Sequence, residues 1–314
     1  MIQRILKRLK QINIQTIFPL LGFVAVILFF QFMTDGRVFT VRNMKAVINE
    51  SFFILLATIG FSFVMAEGNL DLSMGTIMGV SCVCSAIGAN ISPFLAIPFA
   101  IVPGLALGWF NGFVHVNLKM GSLIATMSTQ SIFTGILILV LNGGSLTAPM
   151  SILKWNSLSL KLFTMVVIML AGLYLYNYTY YGKACRAVGA CSEAARQTGI
   201  PVGKIKKLSF ILLGGICGLL GFFSLIRTGT ASSSTGGELM MNVWCAALLG
   251  GLPLTGGYAS KYRAAILGSF TMAVLANGMT LMGLGTYDKQ LIKGAVFLIT
   301  IAISFDRKNM VIIK

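Results

Sequence analysis

The stretch FILLGGICGLLGFFSLI, residues 210–226, carries no charged side chain. A helix rises about 1.5 Å per residue, so this run alone covers ~25 Å of a hydrocarbon core about 30 Å thick. Lys206 and Lys207 flank it on one side and Arg227 on the other. Apolar all round and charged only at its ends, it reads as a membrane span.

The rest of the chain repeats that pattern. Candidate spans cover 17–34, 46–66, 73–90, 94–117, 121–142, 158–181, 206–227, 238–254, 261–283 and 287–305. The long apolar run 73–117 contains Pro93, Pro98 and Pro103. It is divided near Ser92–Pro93, because the residue before a proline is pushed away from helix. A second soft division lies at 254–261. The expectation is an all-α bundle of about ten spans, or eight to nine if the soft divisions fail. Residues 1–314 form a single transmembrane domain with a polar loop at 182–207.

Composition agrees. Of 314 residues, 56% are hydrophobic and 10% charged, and mean hydropathy is +0.88. Soluble domains carry about 25% charged residues. Disorder requires low hydrophobicity, and 6 cysteines in this length are too sparse for a disulfide-stapled module.

Lys and Arg set the orientation. With the N-terminus in the cytoplasm, the inner segments hold 16 of the 24 basic residues and the outer ones hold 8. Both termini are therefore expected to be cytoplasmic. The formal net charge of +16 is spread over loops beside spans, so it marks bilayer topology and not nucleic acid binding. Arg4, Lys7, Arg8 and Lys10 precede the first apolar run. That run is longer than a signal-peptide core, and Thr34-Asp35-Gly36-Arg37 offers no cleavage site, so an uncleaved first helix is expected.

Several chemistries are missing. There is no G-x-x-x-x-G-K-[ST] phosphate loop, and His115 is the only histidine. Cys82, Cys84, Cys217 and Cys245 fall within spans, and Cys185 and Cys191 in the polar loop. None has metal-ligand spacing with histidine, so no metal or cofactor is expected in this chain. The acids Asp35, Glu50, Glu67, Asp71, Glu193, Glu238, Asp288 and Asp306 cluster at predicted span ends. Intramembrane catalysis or proton coupling needs ionisable groups deep in the bilayer. A membrane enzyme is therefore not supported, and a stand-alone secondary carrier is a weaker reading.

Two features draw attention. Gly68-Asn69-Leu70-Asp71-Leu72-Ser73-Met74-Gly75 echoes Gly250-Gly251-Leu252-Pro253-Leu254-Thr255-Gly256-Gly257. Breaks at matching places in a transporter mark functional backbone; two ordinary glycine-rich turns would look the same. The second feature is Glu193-Ala194-Ala195-Arg196-Gln197-Thr198-Gly199-Ile200-Pro201. Ser192 reads as an N-cap, Glu193 favours the positive helix end, and Gly199 with Pro201 stops the helix. Local physics fits a docking knob for a cytosolic partner and an ordinary interfacial helix equally.

Here the chain resembles a known family. E-A-A-R-x-x-G-I at 193–200 is similar to the coupling-helix signature of ABC importer permeases. The whole stretch from about 40 to 305 resembles the ribose/xylose/galactoside-type sugar permeases, the second carbohydrate uptake class of the branched-chain-type superfamily. Residues 68–75 resemble the family's G-G-I-D-L-S-V-G. Leu123-Ile124-Ala125-Thr126-Met127 resembles F-I-A-T-L, and 249–257 resembles L-G-G-T-S-L-x-G-G. Asn277-Gly278 stands where the family has N-G. Glu67-Gly68-Asn69, Pro253 and Tyr258-Ala259-Ser260-Lys261 depart from the family pattern, near the breaks.

The resemblance implies the larger-bundle ABC permease fold in a bacterial cytoplasmic membrane. It also implies cytosolic ATPase subunits that carry ATP and Mg, an extracytoplasmic binding protein, and a homodimer or a pair with a related permease. Glu193, Ala194, Ala195, Arg196, Gly199, Ile200 and Pro201 would then dock on the ATPase. Gly68, Asp71, Ser73 and Gly75, with Gly250, Gly251, Pro253, Gly256 and Gly257, are the break and gating candidates. A sugar needs donors, acceptors and aromatic faces, which makes Asn111, Gln130, Ser131, Asn242, Trp244 and Asn277 the path candidates. A nucleoside, a branched-chain amino acid or an autoinducer-like sugar derivative is the alternative cargo.

Overall fold

The computed structural model describes residues 14–304. The basic cluster Arg4, Lys7, Arg8 and Lys10 lies outside the described residues, as do Asp306, Arg307, Lys308 and Lys314. The chain runs through α1 (Ile14–Met33), α2 (Val41–Ala66), α3 (Met74–Ile91), α4 (Ala96–Asn117) and α5 (Ser122–Leu141). A short strand β1 (Ser145–Thr147) and one turn of helix, α6 (Met150–Leu153), lead into α7 (Leu158–Asn177). Then come α8 (Tyr180–Ala190), α9 (Ser192–Gln197) and α10 (Val202–Thr228). Strand β2 (Thr230–Ser232), α11 (Leu239–Leu249), α12 (Tyr262–Leu281) and α13 (Thr286–Ser304) complete it. The expected all-α architecture acquires one small exception, because β1 and β2 pair antiparallel through three residues each.

Every stretch read as a span contains a helix, but seven helices among the described residues are long and apolar enough to cross a membrane. The division at Ser92–Pro93 is present: α3 ends at Ile91 and a 3-10 turn covers Pro93–Leu95. The main correction is at 238–254. Only Leu239–Leu249 is helical, 11 residues, about 16 Å and half a bilayer. Residues 250–261 continue in irregular backbone. Apolar Leu252, Pro253 and Leu254 had extended the hydropathy signal past the helix end. Within 182–207, α8, α9 and the start of α10 supply helix.

Alternating helix directions sort the connections into two ends. At one end Gly257 N donates to Ala66 O at 2.8 Å, and Tyr176 Oη donates to Ser260 Oγ at 2.8 Å. This is the end that carries α8 and α9. At the opposite end Lys161 Nζ donates to Asn49 Oδ1 at 2.8 Å, and Lys293 Nζ meets Glu238 Oε2 at 2.8 Å. Glu238 and Gly257 thus lie at opposite ends, so α11 and the irregular residues after it together cross the bundle.

Helix α2 is the axis of the fold, buried continuously from Ser51 to Ala66. Helices α4 and α10 meet backbone to backbone at their glycines. A Cβ on Gly104 would strike the carbonyl of Gly214, one on Gly108 the carbonyl of Phe210, and one on Gly218 the Ala100 carbonyl. Gly104 and Gly108, and Gly214 and Gly218, are each four residues apart, the small-x-x-x-small spacing of tightly packed membrane helices. Helices α5 and α7 instead expose Ile132, Leu139, Phe163 and Leu170. Such faces are costly in water and suit lipid.

Candidate functional site

Helix α9 stands out from the α8 end of the bundle. Cys191 is its N-cap, and Ser192, expected as the cap, is its first helical residue. Gly199 lies at φ +84°, a left-handed conformation that glycine enters cheaply. Ile200 N donates to Ala195 O and Gly199 N to Arg196 O, both at 3.0 Å, which is a Schellman stop. Ala195 is buried against the body. Glu193, Ala194, Arg196 and Gln197 are exposed, and Glu193 and Arg196 pair with each other. Pro201 caps the next helix, α10. The knob therefore has a rigid outline and a charged outer face.

Three residues before α9, the chain touches both helix breaks at once. A Cβ on Gly189 would fall onto the Ala66 carbonyl and within 2.6 Å of Gly257 N. A Cβ on Gly256 would fall onto Gly68 N and within 2.6 Å of Ala66 O. Gly68 lies 3.0 Å, by the same measure, from the Thr255 carbonyl. The two echoed segments are thus in direct contact, backbone to backbone, and α8 closes over them. Gly250 packs on the Ala264 carbonyl of α12, and Gly251, Gly256 and Gly257 all have positive φ. Gly75 packs on Gly236. Pro253 accepts a bond from Gly256 N at 3.1 Å.

Buried backbone groups must be hydrogen-bonded. Here side chains do it. Leu70 N donates to Ser122 Oγ at 3.1 Å, and Leu72 N to Thr126 Oγ1 at 3.2 Å. Ser73 N donates to Asp71 Oδ1 at 2.6 Å, and Asn111 Nδ2 to Ser73 Oγ at 2.7 Å. Trp244 Nε1 donates to the Asp71 carbonyl at 3.1 Å. Asp71 Oδ2, Asn111 Oδ1 and Asn242 Oδ1 are buried without partners among the described residues. Two of the path candidates, Asn111 and Trp244, are therefore placed on the 68–75 break. Ser122 was not singled out, and Thr126 only within the 123–127 stretch, because hydroxyls on an apolar helix normally bond back to their own turn. Thr126 does so as well, to Ser122 O at 2.9 Å.

Glu67 occupies the corner between the first break and the α8–α10 segment. It sits at a span end as expected, but it is buried. Ser209 Oγ donates to its carboxylate at 2.5 Å and Asn69 Nδ2 at 3.2 Å. Ser209 spends its one proton on Glu67, so Tyr181 Oη, 2.7 Å away, donates to Ser209. Burial pushes the Glu67 carboxyl up to about 7, against the opposing pull of Ser209, Cys185, Lys206 and Asn69. The folded chain then holds this proton more tightly than the unfolded chain. Stability from Glu67 is full below the ordinary pKa of 4.5 and is lost as pH rises to about 7. The melting temperature in detergent should fall over that window, and Glu67→Gln should flatten the fall. An unchanged slope in the variant would refute the assignment.

At the opposite end lies a cavity of about 660 Å³, lined by residues of α2, α7, α10, α12 and α13. Asn277 is the one path candidate on its wall; Asn111, Gln130, Ser131, Asn242 and Trp244 are not. Gln130 is half-buried and Ser131 exposed on α5. Among the described residues no cluster of His, Cys, Asp and Glu is arranged to hold a metal.

Comparison with known proteins identifies the family. Residues 43–301 match the profile of a family described as branched-chain amino acid transport system, permease component. The chain is 26% identical to the xylose transport system permease protein XylH of Escherichia coli K12, covering 93% of this chain and 92% of that protein. It is 24% identical to the ribose import permease protein RbsC of the same strain, over 84% and 86% of the two chains. It is 28% identical to the autoinducer 2 import system permease protein LsrC of Yersinia pseudotuberculosis, over 91% and 80%. No solved structure matches the chain.

Proposed function

The chain belongs to the branched-chain amino acid transport system permease family, and on that premise we propose that it is the membrane subunit of an ATP-driven importer of small sugars. The relatives named for xylose and ribose support the cargo class, and the one named for autoinducer 2 supports a sugar derivative as the alternative. An extracytoplasmic binding protein delivers the cargo, and both termini face the cytoplasm. Two permease chains, identical or related, form the pathway.

One observation carries the reading. The exposed knob α9 begins three residues after Gly189, which packs on Ala66 and Gly257, where the two breaks meet. An ATPase that grips Glu193, Ala194 and Arg196 would move α9 and α8 together. That motion would reach the breaks through backbone contact. The ATPase can bias the equilibrium only by gripping one access state more tightly than the other.

The test is purification of the tagged chain from its native membrane. An ATPase subunit should come down with it, and Glu193→Lys should release that subunit while leaving the permease inserted. A chain that purifies alone and carries radiolabelled xylose into liposomes without ATP would replace this reading with a stand-alone carrier.

A further inference from the structure

The cavity opposite α9 has an unusual charge balance. Four basic side chains line it, Lys161, Arg227, Lys289 and Lys293, against two carboxylates, Glu50 and Glu238. Both carboxylates are already engaged. Glu238 holds Lys293 at 2.8 Å, and Glu50 lies 3.9 Å from Arg227. Lys161 and Lys289 are left over, and Lys161 is the more buried of the two. Its residue is only 4% exposed, yet among the described residues no carboxylate lies within 4.0 Å of its ammonium. Its partner is a neutral one, Asn49 Oδ1, at 2.8 Å.

An ammonium withdrawn from water costs several kcal/mol unless it is paired. An ionisable group inside a membrane bundle is a functional position by default. The cavity volume of about 660 Å³ falls in the range of small-molecule sites. Asn156, Asn277 and Thr280 offer amide and hydroxyl groups on the same wall, and no aromatic ring is among the described lining residues. A neutral sugar would therefore find no stacking face here.

We propose that this cavity is a binding subsite for a hydroxylated carboxylate of the sugar-acid class, with Lys161 as the anion contact. The carboxylate would take the place of the missing counter-ion, and the asparagine amides would read the hydroxyls. The proposal rests on the permease reading and adds a sugar acid to the small-sugar cargo of that importer.

The experiment is equilibrium dialysis of the purified chain in detergent with radiolabelled D-gluconate and D-glucose. Gluconate should bind at least about tenfold more tightly than glucose at low salt, as one charge-assisted contact provides. Added potassium chloride should weaken it. Lys161→Met should cost gluconate about tenfold or more and leave glucose unchanged, while Lys161→Arg should retain most gluconate affinity. Lys161→Arg eluting as the wild type serves as the folding control. Equal binding of the two ligands, absence of binding, or an unaffected Lys161→Met variant would each overturn the proposal. If gluconate fails while the ATPase still co-purifies, the charge assignment falls and the importer reading stands. If gluconate binds as described but no ATPase is found, the subsite stands and the importer reading falls.

Discussion

Gly189→Ala should lower the thermal stability of the chain. The added carbon would sit between the Ala66 carbonyl and Gly257 N, two groups already joined by a 2.8 Å hydrogen bond. Neither is the end of a flexible side chain. Room appears only if α8 lifts from the breaks or the bond opens. Overpacking of this kind costs roughly 1–3 kcal/mol, and the loss of a buried bond adds about 1 kcal/mol. A melting temperature lower by on the order of 5 °C in detergent is expected. Gly121→Ala is the control, because nothing lies within 4 Å of its added carbon. A Gly189→Ala variant as stable as that control would show that α8 and the breaks are not rigidly joined.

The second large effect concerns function and spares stability. Gly199→Val should abolish ATP-driven uptake while leaving the chain folded and inserted. Nothing lies within 4 Å of a Cβ at this position, so no packing is disturbed. The strain is purely conformational: a β-branched residue at φ +84° costs about 1–3 kcal/mol. A helix of 6 residues has too few internal bonds to absorb that, so its stop and the course of Ile200 and Pro201 shift. ATP hydrolysis by the associated ATPase should persist without import. Full uptake at normal expression would show that the shape of α9 does not transmit the stroke.

Much of this was legible along the chain because the signals are local. Hydropathy placed the long helices within a few residues of their ends. Pro93 ended α3 where the steric rule requires. Gly199 and Pro201 bounded α9 through backbone preference alone. Ser192 was off by one position because Cys191 takes the extended cap conformation and contributes no side-chain bond. The half-length α11 was not legible, since hydropathy counts apolar atoms and does not see conformation; Leu252 and Leu254 look the same in a helix or out of it. The echo of 68–75 in 250–257 could be read, but not that the two segments touch. Glu67 and Lys161 are the clearest omissions. Their partners, Ser209 and Asn49, lie 142 and 112 residues away in the chain, so no window of sequence contains both halves of either pair.

The glycine seam between α4 and α10 has a mechanical consequence. With Gly104, Gly108, Gly214 and Gly218 placing backbone on backbone, no side chain cushions the two helices at those four positions. Sliding by one residue in either direction would drive a side chain into a carbonyl. The seam behaves as a splined joint: it has one seating, and the two helices must travel as a single beam. Since α10 begins at Val202, just past α9, any stroke delivered at the knob turns that beam as a whole. The compliance needed for opening is left to the segments 67–73 and 250–261, where the chain has no helix to bend.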